Sequence, residues 1–548
     1  MTPRHLRAPR RDGEILCDPP LDEFATASTQ NAERLNRSNY DCQGRTLSRL
    51  RDIIRREALG SARDYTSQWF DLPEAPEPDR RETDPPSDRH ALVGRQLVAA
   101  GHQPELFHPG VWIKNFAIYA HARRHGALAL NLIVDDDTVK ATAVPVPSGT
   151  CAKPFVRPVA FDRYAGETPF EELGVTDESL FASFGDRVVD AMKDLGFVPM
   201  ITKFWALAQG FVRRTPLLGE RLSLARRAQE AEWGCHNLEL PLSRVCQLEG
   251  FCWFAVHLLA QLPRFHAIYN SALAEYRRAN RVRSEHHPVP ALERQDDWLE
   301  APFWVWRAGH PTRRRLCARQ VGREVALGDG QSELARLRLD PDAEGCCAVE
   351  RLRELATGGI RIRTRALTTT IFTRLFLTDL FVHGIGGAKY DQMTDVLIER
   401  FFGFEPPTFA TLSATVYLPT ACDPEAPWLA SHARQLARDL WYNPDRYFSA
   451  EVRDHDDVRP VLAAKRGAVS ESPSTAAARR DRFLRLREVN HSLRPWVGDQ
   501  LHAAHMETDR LARAASATAI LRNREYAFCL YPEDKLGRFY ARLAQGAL

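Results

Sequence analysis

The sequence predicts an α/β fold built on a parallel sheet. Three observations carry this. The short apolar run 96–100 reads as a strand, and the amphipathic run 111–124 after it reads as a helix. A second apolar run, 127–134, follows that helix directly, and a helix flanked by two apolar strands is the unit of a parallel sheet. Further on, the strongly apolar stretch 371–381 leads through a glycine-rich loop, 382–391, into a helix over 392–401 and a strand over 409–418. The core is therefore expected in two parts, 91–164 and 351–423.

At 548 residues the chain exceeds what one hydrophobic core supports, so about two to four domains are expected. A net charge of +3 is too balanced to argue for nucleic acid or an acidic membrane as partner. Of the 74 basic residues 66 are Arg and eight are Lys, so surface Arg carries little information and a retained Lys carries more. Lys114, Lys389 and Lys535 fall in segments of interest. The eleven Cys form no C-x-x-C pair, which suits reduced thiols in a cytoplasmic protein. No apolar run is long enough to span a bilayer, and the basic N-terminus has no apolar stretch behind it to make a secretory signal.

Residues 1–90 read as an extension: polar and poorly ordered to 45, a helix over 46–70 (Leu47, Leu50, Ile53, Ile54, Leu59), then a Pro- and charge-rich linker over 71–90. A third apolar run at 141–146 closes the first part of the core. Residues 165–350 read as an inserted mixed domain. It is helical to about 285, with one helix over 251–280, and then carries short antiparallel strands at 303–306, 313–321 and 324–327. Residues 424–520 read as a long helical hairpin of coiled-coil type, broken at 468–475. The aromatic segment 521–548 is expected to dock back on the core.

Three constellations could carry chemistry. His102, Gln103, His108 and Lys114 crowd the turn after the first strand, where a helix start offers backbone N–H groups and a positive dipole end to an anion. The bland alternative is a turn-stabilising hydrogen bond. Asp135, Asp136 and Asp137 end the second strand. Three adjacent carboxylates repel unless an amine, a ribose or Mg²⁺ relieves them, or unless they are simply solvated. Gly384, Gly386 and Gly387 let amides converge on a phosphate, with His383 before them and Lys389 and Tyr390 after. A tight turn under packed helices is the alternative. Arg361, Arg363 and Arg365 alternate as on one strand face, while Trp304 and Trp306 are expected to cover a sheet face. No standard nucleotide-loop, zinc-protease or serine-hydrolase motif occurs, and no metal-ligand set is read.

In their order these segments resemble the bacillithiol synthase family, the cysteine-adding enzymes of bacillithiol biosynthesis. The similar stretches are Gly101-His102-Gln103-Pro104-Glu105-Leu106-Phe107 with Gly110, the strand 133–137 with its acidic end, and Thr364-Arg365 before an apolar run. Gly384-Ile385-Gly386 with Tyr390, and Arg524-Glu525 before Leu530-Tyr531 and Lys535, complete them. Gly387 stands where the family usually has an acidic residue, Ile385 where it has Pro, and His102 where it has a small or polar one. The resemblance implies a Rossmann-like core of nucleotidyl-transferase type, an inserted connective domain, and a helical hairpin that makes a homodimer.

It also implies a ligase that joins an amino acid (cysteine in the family) or another amine to a carboxylated small molecule, with ATP or ADP bound. The need for Mg²⁺ stays open. His102, Gln103 and His108 are then the catalytic candidates. Lys114, Asp135, Asp136, Asp137, Arg365, His383, Gly384, Gly386, Gly387, Lys389 and Tyr390 are the binding candidates. A nucleotidyl transferase acting on a small anionic metabolite, and a non-catalytic dimeric scaffold with a vestigial pocket, are the alternatives. All of this requires residues 102–114 and 383–390 to meet at one sheet edge.

Overall fold

The computed structural model describes residues 6–72, 94–339 and 344–544. From residue 73 on, the expected linker falls outside the described residues. The central sheet takes six strands in chain order: β1 (Ile15–Asp18), β2 (Leu97–His102), β3 (Leu128–Ile133), β4 (Leu238–Pro241), β5 (Leu380–His383) and β6 (Ala410–Ala414). Their spatial order is β1-β6-β5-β2-β3-β4. β1 runs antiparallel to β6, and every other pair is parallel. Sheet order thus reverses between β2 and β5. In doubly wound sheets the crevice at the carboxyl ends of the strands on either side of such a reversal is where ligands bind.

The strands are apolar on both sides because helices cover both faces. Leu97, Ala99, Leu130, Leu132 and Leu240 pack in one core with α2 (Leu47–Trp69). Val98, Ala100, Ala129, Leu380 and Val382 pack in the other with α3 (Pro109–His125) and the C-terminal segment. α3 begins at Pro109, whose missing N–H suits a first helical position. It ends at Gly126, whose φ of 65° is the left-handed conformation that glycine adopts without strain.

Two buried ionic clusters tie the layers together. Asp379, just before β5, accepts from Arg51 and Arg55 of α2 and from the Leu97 amide at 2.7 Å. Arg226 of α4 (Leu218–Glu232) lies between Glu230 and Glu239, at 2.7 Å from each. Glu230 also accepts from Trp112 and Asn115 of α3, at 2.6 and 2.7 Å.

Several expectations hold: the unit β2–α3–β3, α2, the antiparallel strands and the docked C-terminal segment, where Tyr540 stacks on Phe116 with ring centroids 4.2 Å apart. Others are corrected. The run 141–146 does not enter the sheet. It starts the strand Ala143–Thr150 of a separate hairpin with Lys153–Ala160, because Pro145 and Pro147 lack the donors a central strand needs. The third parallel strand, β4, lies inside the segment expected to be wholly inserted. It is four residues long and carries the buried Glu239, so it has no strand signature. Ile360–Thr364, which holds Arg361 and Arg363, joins the antiparallel sheet against Trp298–Arg307 rather than the core. The helix expected over 251–280 breaks at Gln261, with Pro263 in the first turn of its second half. The N-terminal region is ordered over β1 and the helix α1 (Phe24–Asn36), whose Asn31 donates to Asp379 O and Thr408 O.

The glycine segment is not a loop: α5 (Ile385–Leu397) starts at Ile385, so Gly386, Gly387, Lys389 and Tyr390 sit in its first two turns. Beyond the core, α6 (Ala426–Tyr442) packs along α7 (Gly498–Leu521) through Ala430, Ala433 and Leu511. The helices Arg459–Ser470 and Ala476–Leu493 pair beyond them. Among the described residues no helix is long and apolar enough to cross a membrane.

Candidate functional site

Parallel register places His102 and His383 at the carboxyl ends of adjacent strands. The two turns do meet: a cavity of about 870 Å³ opens between them at the sheet reversal. The antiparallel sheet closes one side with Trp304 and Arg313, residues 364–370 close another, and Arg524 and Glu525 close a third. All the candidate residues line it except Asp135.

At the first turn His108 caps α3. Its Nδ1 accepts from the Gly110 amide at 3.0 Å and its carbonyl from the Val111 amide at 3.0 Å. Pro109 has no N–H, so the start of α3 has no free amides, contrary to expectation: the cap has used them. Accepting at Nδ1 puts the proton of the neutral ring on Nε2, 3.4 Å from Glu525 Oε2. His102 Nδ1 donates to the Gln103 carbonyl at 3.1 Å. Burial pushes both imidazoles down to about 3, helped by Lys114 and, for His108, Arg524, so both are neutral near pH 7. They act as hydrogen-bonding groups, not as cations.

Lys114 is 3% exposed. Its ammonium donates to the Gly101 carbonyl at 2.7 Å and has no carboxylate partner among the described residues. Burial pushes it down to about 8.

The acidic triplet does not act as a unit. Asp135 turns away to accept from the Ser243 amide at 2.8 Å, and burial with Glu171 nearby raises its pKa. Asp136 is buried, and desolvation with Asp135 beside it pushes its carboxyl well up, toward the protonated form. Only Asp137 presents a stable carboxylate. Burial alone would raise it, but Gln103 Nε2 at 2.9 Å, Arg313 at 3.0 Å and the Thr138 amide at 2.9 Å outweigh burial and lower its pKa. Three carboxylates aimed apart, one pushed by burial toward the protonated form and one already bridged, do not fit a Mg²⁺ ion. Among the described residues no group of three or more His, Cys, Asp or Glu side chains is placed to hold a metal.

The free helix start is that of α5. Its first intrahelical bond runs from the Ala388 amide to Gly384 O at 3.0 Å, which leaves the amides of 385–387 for a ligand. A Cβ at Gly384 or Gly386 would meet nothing within 4 Å, so this start is open, and Lys389 is exposed beside it. Tyr390 lines the same wall, its hydroxyl pushed up to about 12 by burial. His383 Nε2 lies 3.0 Å from Asp391 Oδ2. Asp391 is fully buried, yet Arg374 at 2.7 Å and His383 hold its pKa well below the usual carboxylate range.

Arg365 pairs with the buried Glu300. Its guanidinium and that of Arg313 each lie 4.7 Å from the Trp304 ring centre, so Trp304 belongs to the cavity wall rather than to a plain sheet cover. Arg363 pairs with Glu171 and Arg361 with the Ala356 carbonyl, and neither reaches the cavity. Sequence reasoning missed Asp391, Trp304 and Arg313 as site residues. Asp391 was legible only as the end of the glycine segment, and nothing local marked the other two.

Gly110 is where the site meets the sheet. A Cβ there would lie 2.1 Å from the Ala414 carbonyl oxygen, a backbone atom. Gly110→Ala is therefore expected to lose about 1–3 kcal/mol of stability, read from urea midpoints. Gly60→Ala in α2, where a Cβ meets nothing within 4 Å, is expected to be neutral or slightly stabilising. Equal midpoints for the two variants would refute this packing account.

Neither a scan against protein-family models nor a search of curated proteins finds a match to this chain.

Proposed function

We propose that this chain is a ligase of the bacillithiol synthase type on a Rossmann-like core. It would join an amino acid or other amine to a carboxylated small molecule, with a nucleotide held at the start of α5. One observation carries the reading. Lys114, a buried ammonium without a carboxylate partner among the described residues, lines the same cavity as the free amides of 385–387. A buried unpaired charge is unfavourable until an anion offsets it. Phosphate oxygens suit both groups, and about 870 Å³ has room for a nucleotide and a small amine together.

A bound nucleoside triphosphate would supply the phosphoryl group that activates the small molecule's carboxyl. The chain supplies position and field: Lys114, Lys389 and the α5 amides hold the anion, and Asp137, kept ionised, receives an ammonium or a ribose hydroxyl. The second copy of the homodimer would meet the first along the hairpin, which leaves Trp428 and Phe483 exposed.

Calorimetry with ATP and ADP tests the site. Lys114→Met and Lys389→Ala are each expected to weaken binding by about tenfold or more, the range of a charge-assisted hydrogen bond. Because free Lys114 titrates near 8, its charge is present below pH 7 and is lost as pH rises. Wild-type affinity is expected to be flat below pH 7 and to fall above 8, with proton uptake on binding there. The Lys114→Met variant should show neither effect. Unchanged affinity in both variants would remove the assignment. The nucleotidyl-transferase reading draws on the same turn, since His102 and His108 stand beside the anion site. Pyrophosphate release without amide formation would favour it.

A further inference from the structure

We propose that His383, oriented by Asp391, is the general base that takes the proton from the attacking amine. This rests on the ligase reading for its substrate but not for its geometry. His383 sits at the carboxyl end of β5, on the strand beside the one that ends in His102, and its ring lines the cavity. Nε2 is 3.0 Å from a carboxylate that is itself fully buried, so Nε2 carries the proton and Nδ1 is left with its lone pair. Nδ1 has no hydrogen bond among the described residues. It faces Gly387, where a Cβ would lie only 2.7 Å away. Any side chain at 387 would push the ring aside or cover the lone pair. The glycine that departs from the family pattern therefore serves the histidine.

Arg374 bonds Asp391 at 2.7 Å and Asp395 at 2.6 Å. The rings of Phe381 and Phe409, with centroids 4.6 and 5.2 Å from that of His383 and nearly perpendicular to it, keep the pair in place. His102 and His108 cannot fill this role. Lys114 opposes a positive charge on each, Arg524 opposes one on His108, and the Nδ1 of His108 is spent on the α3 cap.

In the step itself the amine nitrogen forms the C–N bond to the activated carboxyl carbon. Its proton passes to Nδ1 of His383, and the leaving phosphate departs with the electron pair of the broken C–O bond. The proton on Nε2 stays on the ring, donated in a hydrogen bond to Asp391, throughout. His383 is the catalytic residue and Asp391 a positioning residue.

The tautomer decides the proposal whether or not the chain ligates an amine. Histidine-selective ¹⁵N NMR of the full chain, assigned with His383→Gln, is expected to show His383 protonated on Nε2 and bare on Nδ1. Asp391→Asn should lose that preference. A ring protonated on Nδ1, or one indifferent to Asp391→Asn, overturns the dyad. In turnover, His383→Ala is expected to lower kcat by about 10²–10⁴-fold, with ADP affinity within about twofold and partial rescue by added imidazole. Gly387→Ala, which keeps the ring but displaces it, is expected to lower kcat in the same direction. Wild-type kcat in both variants would also overturn the assignment.

Discussion

Arg226→Met is expected to destabilise the chain by about 3–5 kcal/mol, because it leaves the buried carboxylates of Glu230 and Glu239 facing each other without a cation. The methionine fills most of the volume, so the loss is electrostatic. The sign of its pH dependence follows. Unpaired buried carboxylates have folded-state pKa values raised above their unfolded values, so the deficit is full at neutral pH and shrinks as pH falls through those raised values toward about 4.5, the ordinary glutamate value. Urea midpoints at the two pH values measure this, and a deficit that is constant with pH would point to packing instead. Function should suffer too. Glu230 also accepts from Trp112 and Asn115, so the cluster sets where α3 lies and with it His108 and Lys114.

Asp379→Ala is expected to cost about 3–5 kcal/mol for the opposite charge. Arg51 and Arg55 are 0% and 6% exposed, and burial already pulls Arg51 down to about 10 while Asp379 pulls it back up. Removing the carboxylate strands both guanidiniums and the Leu97 amide where α2 meets β2 and β5. The comparison is Glu405→Ala, which removes a 3.0 Å ion pair with Arg34 whose carboxylate is 77% exposed. That variant is expected to unfold at the wild-type midpoint, since solvent screens such pairs. Similar losses from both would show that burial is not what makes the Asp379 cluster matter.

Local pattern made much of this molecule legible. Continuous apolar runs mark strands covered on both faces, so β2 and β3 were read within a residue or two. The proline at 109 and the glycine at 126 bracket α3. The helical pattern over 46–70 announced α2, and the Arg-, Ala- and Leu-rich stretch 424–520 announced helix in the region that holds α6 and α7. What pattern could not supply was partnership. β4 is too short for a period and is a strand only because β3 lies beside it. Asp135, Asp136 and Asp137 look alike in sequence, yet Ser243, desolvation and Arg313 give them three different fates.

The sequence by itself determined the α/β class, the polar turn at 102–108, the glycines near 384–387, and the residues that could bind an anion there. Such features follow from each segment's own side chains and backbone. Tertiary structure alone decided which helix start stays free, because His108 folds back to cap α3 while glycines leave α5 open. It alone gave Lys114 no carboxylate among the described residues and His383 its Asp391. The physical reason is that desolvation and pairing depend on what distant chain is brought alongside, and no local sequence signal encodes that neighbour.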